Sequence, residues 1–139
     1  MRRLTVVQLL PALNAGGVER STLEIAAALV AAGHASHVVS AGGRLVPALE
    51  AAGSTHHALP IGAKSLATPL QVFALRRLLR ALKPDIVHAR SRLPAWVGLG
   101  ALRGLSPRPR FITTVHGLNS PGRYSGVMAR GEAVICVSE

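Results

Sequence analysis

Three groups of residues have the types and spacing to do chemistry. Gly16 and Gly17 stand between an apolar run, residues 4–10, and an amphipathic run, residues 19–32. Strand, glycine turn, helix is an arrangement that builds an anion site. Glycine removes the Cβ that would hold a ligand off the backbone. The helix start then aims unpaired N–H groups and a positive dipole end at the space left, and phosphate is the usual guest. The bland alternative is a tight strand-to-helix turn with no ligand. His116 follows Thr113-Thr114-Val115 and precedes Gly117. A histidine at a strand end can hydrogen-bond a ligand hydroxyl or phosphate, or act as acid or base. Arg90 and Arg92 flank Ser91, and guanidinium forks suit phosphate or carboxylate. Their alternative is two solvated loop arginines.

The elements that must position these groups can be read from the pattern. Apolar runs rich in Val, Ile and Ala predict strands over residues 4–10, 34–40, 54–59, 86–89, 110–115 and 133–137. Helical spacing predicts helices over residues 19–32, 45–52, 69–83 and 94–103, with a helical piece at 124–129. Pro69 and Pro94 are placed like first-turn prolines, and Gly33 and Gly53 like helix stops. Strand and helix alternate throughout. The expected fold is therefore α/β: a Rossmann-like open parallel sheet of about six strands, with helices on both faces. Ligands of such sheets bind beyond the carboxyl ends of the strands. The loops there carry Gly16-Gly17, a second pair Gly42-Gly43, Arg90, Arg92 and His116.

The bulk properties narrow the classes. The 139 residues suffice for one domain with a real core, and 49% apolar content argues against disorder. Sixteen basic residues against six acidic ones leave a formal charge of +10, which calls for an anionic partner. Aromatics make up only 3%, too few for the stacking platforms of a nucleic-acid groove. Cys136 is the single cysteine, so no internal disulfide or thiolate cluster can form, and its apolar setting reads as core. No run reaches the ~18–20 apolar residues of a spanning helix. Residues 1–10 could pass for a signal peptide, but the run is short and a glycine turn follows at once, so a first strand is preferred.

Other positions weigh toward structure. His88 lies inside a strand and reads as a core histidine. Adjacent residues His56 and His57 face opposite ways and cannot share a metal, so they read as surface. Trp96 reads as a packing anchor rather than the wall of an acceptor cleft. Arg76, Arg77, Arg80 and Lys83 form a basic face opposite leucines 75, 79 and 82. Such a face is usually solvated, the alternative being contact with anionic lipid. The glycine turn matches neither the dinucleotide fingerprint nor the P-loop. An oxidoreductase domain would also need an acid after the second strand, where Ser40-Ala41-Gly42 stands. A basic α/β binding module and an inactive remnant are the other rivals.

Five segments in order carry a resemblance: Gly16-Gly17-Val18-Glu19-Arg20, Ala31-Ala32-Gly33-His34, Pro84-Asp85-Ile86-Val87-His88-Ala89-Arg90-Ser91, Thr114-Val115-His116-Gly117 and Val134-Ile135-Cys136-Val137-Ser138-Glu139. Together they resemble the N-terminal domain of a GT-B glycosyltransferase of retaining family 4, of the bacterial cell-surface or lipopolysaccharide type. The resemblance implies two Rossmann-like domains across a cleft, the first binding mainly the acceptor and the second most of the nucleotide-sugar. It implies that Gly16 and Gly17 approach the donor diphosphate and that His116 contacts and aligns the donor sugar. Acceptor contacts would fall to Arg90, Ser91, Arg92 and Asn119, although the family often has histidine where Arg90 stands. The partners implied are a nucleotide-sugar and a glycan or glycolipid acceptor, with no metal, no cofactor and no nucleic acid. The setting would be cytoplasmic or at the inner face of the plasma membrane. The chain ends two residues after its last strand, so residues 1–139 read as a truncated acceptor-side domain. The nucleotide-sugar domain would be missing, and the isolated chain inactive.

Overall fold

Short β-rich runs between helix-forming stretches bury best as parallel strands with crossover helices, and the computed structural model has that form. It describes residues 3–14, 16–62, 68–116 and 133–137. The elements are β1 (Thr5–Leu9), α1 (Gly17–Ala31), β2 (Ala35–Ser40), α2 (Val46–Ala51), β3 (Thr55–Ala58), α3 (Thr68–Leu82), β4 (Ile86–Ala89), α4 (Arg92–Leu102), β5 (Arg110–His116) and β6 (Ala133–Val137). The expected turn at 119–122, the helical piece at 124–129 and the segment 138–139 lie outside the described residues.

The strands form one sheet in the order β3-β2-β1-β4-β5-β6. Every pairing is parallel, with Gln8 level with Val38 on one side and His88 on the other. Strand alternation divides the core. Val7, Leu9, Val87, Ala89 and Phe111 pack against Leu75 and Leu79 of α3 and Ala95, Val97 and Ala101 of α4. On the opposite face Leu10, Leu13 and Val38 pack against Ala26 of α1 and Leu49 of α2. Trp96 leans on the α3–α4 side of the core, the packing role expected of it. Asp85 ties the amino ends of three strands. Its carboxylate accepts from Thr5 N at 2.8 Å, and its carbonyl accepts from Arg110 N at 3.0 Å.

Three expectations change. Helix α4 begins at Arg92, not Pro94, because Ser91 is extended and already acts as its N-cap. Pro94 then sits in the first turn, where no intrahelical N–H is required. Arg76 leaves the basic face of α3. Its guanidinium donates to the carbonyls of Gly100 at 2.7 Å and Ala101 at 3.3 Å, satisfying orphan acceptors near the end of α4. His56 and His57 are half-buried rather than at the surface. His56 bonds the Ser40 hydroxyl at 2.7 Å, and His57 bonds the His37 ring at 3.0 Å. Desolvation lowers the pKa of all three histidines.

Candidate functional site

The strand order reverses between β1 and β4, and sheets of this kind bind ligands beyond the carboxyl ends of the strands at such a switch point. The β1–α1 loop leaves the sheet there. Leu10 and Leu13 are fully buried anchors, while Asn14, Gly16 and Gly17 are exposed. The loop is clamped by the loops after β2 and β3. Leu13 N donates to Gly42 O at 3.0 Å, Ala41 N to Pro11 O at 2.9 Å, and Leu45 N to Leu13 O at 2.9 Å. A Cβ on Gly43 would fall 2.4 Å from Leu13 O, and one on Gly62 only 2.3 Å from Pro11 Cβ. The second glycine pair, a candidate ligand loop in the sequence, is thus a seat for the first.

Gly16 caps α1 at a φ of +159°, with no side-chain cap. The first backbone bond of the helix is Arg20 N to Gly16 O at 3.0 Å. The N–H groups of Gly17, Val18 and Glu19 therefore precede the intrahelical ladder, as at any helix start. A Cβ on Gly17 would meet nothing within 4 Å, so packing does not demand glycine there. On Gly16 it would meet the Glu19 carboxylate at 2.9 Å, the far end of a flexible side chain. The helix start thus has two exposed glycines and no side-chain cap, and backbone bonds to the loop after β2 seat the loop that leads to it, the form an anion site needs.

Arg90 continues β4 at the same edge, but it is neither solvated nor free to fork outward. It is 2% exposed. Its Nη1 donates to Gln8 Oε1 at 3.2 Å, and its Nη2 donates to the Ser21 hydroxyl of α1. Gln8 in turn donates to Thr22 O at 3.4 Å. Burial pushes the Arg90 pKa down, although a guanidinium keeps its charge regardless. Nearby, the Ser91 hydroxyl is buried with no partner among the described residues, and Arg92 is half-exposed in the first turn of α4. His88 is buried and its Nε2 bonds the Thr114 hydroxyl, the core role expected of it.

The structure thus brings Gly16, Gly17, Arg90, Ser91 and Arg92 to one edge. Strand β5 carries His116 there as its last residue, paired with Val137 of β6. The side chain of His116, and Asn119 entirely, lie outside the described residues. Gln8 and Ser21 were not singled out in the sequence. The one signal was Gln8 itself, a polar residue interrupting an otherwise apolar strand. Among the described residues no three His, Cys, Asp or Glu side chains could hold a metal together. A cleft of about 220 Å³ between Leu79, Lys83 and Pro107 lies at the opposite edge of the sheet, away from these groups.

The profile of Glycosyltransferase Family 4 matches residues 15–139. A search of curated proteins finds no match. Among solved structures, a glycosyltransferase from Rickettsia africae is 32% identical with a TM-score of 0.84, covering 99% of this chain and 38% of its own. Anabaena HepE, solved with UDP and glucose, is 17% identical with a TM-score of 0.64, covering 83% and 30%. Acinetobacter baumannii MurG is 17% identical with a TM-score of 0.67, covering 95% and 41%. The last two show the shared fold alone. The chain spans less than half the length of each of these structures. With a parallel Rossmann-like sheet, an open glycine turn at its switch point and a profile match over nearly its whole length, the chain belongs to glycosyltransferase family 4.

Proposed function

We propose that these residues form the acceptor-side half of a retaining glycosyltransferase. It would move a sugar from a nucleotide-sugar to a cell-envelope glycan or glycolipid. The observation that carries this is the exposed start of α1, where Gly17 has open space in place of a side chain. In the intact enzyme the breaking sugar–phosphate bond develops charge on the leaving diphosphate. The N–H groups of residues 17–19, fixed before reaction, stabilise that charge best when it is fully developed. His116 aligns the donor sugar, and acceptor contacts fall to Ser91, Arg92 and Asn119. The chemistry asks for no metal and no cofactor. A facing nucleotide-sugar domain supplies the remaining donor contacts, so residues 1–139 alone do not transfer sugar. Transfer by the isolated chain would refute that last point.

The test is an amide NMR titration of the 139-residue chain with UDP, GDP, ADP and NAD. The diphosphates should move the amides of Gly17, Val18 and Glu19 first. A response to NAD alone, or shifts confined to other loops, would favour a dinucleotide site and defeat the reading.

A second part of the proposal concerns where the enzyme works. Leu70 and Phe73 on α3 are 69% and 61% exposed, and they share one stripe with exposed Arg77 and Arg80. An apolar tip followed by a basic row fits an anionic membrane surface, which would put the protein at the inner face of the plasma membrane. Vesicles containing phosphatidylglycerol should sediment the chain, and Phe73→Glu should abolish this. Equal binding by the variant, or binding to phosphatidylcholine alone, would count against it.

A further inference from the structure

Arg90 presents a contradiction that its neighbours do not resolve. It is 2% exposed, and among the described residues it bonds only neutral groups, Gln8 Oε1 and the Ser21 hydroxyl. Its Nε has no partner among the described residues. A buried charge without an opposite charge is unfavourable, because the interior replaces the water that would solvate it. Here the cost is compounded by position. Ser21 lies four residues into α1 from Gly17, about 6 Å along the axis. The guanidinium therefore sits one turn beneath a helix start that already carries partial positive charge. Among the described residues, the negative group seen against that start is the Glu19 carboxylate, beside Gly16.

We infer that Arg90 is a positioning residue for the donor diphosphate rather than an acceptor contact. Its unneutralised charge raises the potential at the α1 start. Its bonds to β1 and α1 hold that start against the sheet. An acceptor could reach Arg90 only if the side chain left its buried network, whereas a diphosphate at residues 17–19 meets its field in place. These positive charges repel one another, and a bound anion relieves the repulsion. This inference rests on the donor-site reading above.

The experiment compares the wild-type chain, Arg90→Lys and the double variant Gln8→Met/Arg90→Met. Each is melted without ligand and with inorganic pyrophosphate at constant ionic strength. The double variant removes the charge together with its Gln8 acceptor; the half-buried Ser21 hydroxyl and the Thr22 carbonyl, which lies inside α1, each lose one donor. It should melt at or above the wild-type temperature without ligand, and should bind pyrophosphate about tenfold more weakly. Arg90→Lys keeps the charge and should stay within about threefold of wild type. A double variant that fails to fold, or melts well below wild type without ligand, would show Arg90 to be a structural strut and overturn the inference. Undiminished pyrophosphate binding by the double variant would overturn it while leaving the donor site standing. A wild-type chain indifferent to pyrophosphate would overturn both.

Discussion

Replacing Gly17 and Gly43 separately with alanine asks whether the two glycine pairs do different jobs. At Gly17 the added methyl meets nothing within 4 Å. Alanine also favours a helix over glycine by up to about 1 kcal/mol at interior positions, and by less at the first residue. The expected change is about 0 to 0.5 kcal/mol in favour of folding, a melting temperature unchanged or raised by about 2 °C. Yet the methyl stands beside N–H groups that a phosphate oxygen must approach to about 3 Å. Losing one charge-assisted hydrogen bond costs about 1.5–3 kcal/mol, a ten- to hundredfold weaker anion site. At Gly43 the methyl would lie 2.4 Å from Leu13 O and 2.5 Å from Leu13 C, both backbone, at a φ of +152°. Backbone cannot yield cheaply, so the cost is about 2–4 kcal/mol, a loss of very roughly 5–15 °C. Calorimetric melting gives the stabilities, and pyrophosphate titration gives the affinities. The reasoning fails if Gly17→Ala binds pyrophosphate as wild type does, or if Gly43→Ala melts with it.

Other consequences follow from single contacts. Arg76→Ala strips two acceptors near the end of α4 and should cost about 1–2 kcal/mol in denaturant unfolding, where a merely solvated arginine would cost nothing measurable. Lys83 holds a φ of +50° just after α3, so Lys83→Gly should stabilise by about 0.5–1 kcal/mol; no gain would mean that the side chain offsets the strain. His37 and His57 bond ring to ring, and burial lowers both pKa values below 6.5. The unfolded chain therefore takes up protons first as pH falls, and stability present above pH 6.5 is lost on acidification through it. His57→Gln should flatten that slope in melts between pH 8 and 5, and an unchanged slope would place its origin elsewhere.

Much of the architecture was legible because it is local. Short apolar runs and spacing of period 3.6 placed every strand and helix among the described residues to within about two residues, since each pattern needs only its own segment. The glycine turn was legible for the same reason: strand, Gly16-Gly17 and helix are contiguous. So was His88 as a core residue. What escaped was what joins distant segments. Arg90 looked like a loop arginine because its partners Gln8 and Ser21 stand 82 and 69 positions away. Gly42-Gly43 looked like a second ligand loop because Leu13, which Gly43 nearly touches, belongs to another crossover. Arg76 looked solvated because the carbonyls it caps arrive with α4. Short-range sterics and amphipathic spacing suffice for the elements and for the place of the helix start. Which charges lie buried beside that start depends on strand order, which brings β1 and β4 together, and no local pattern encodes a neighbour.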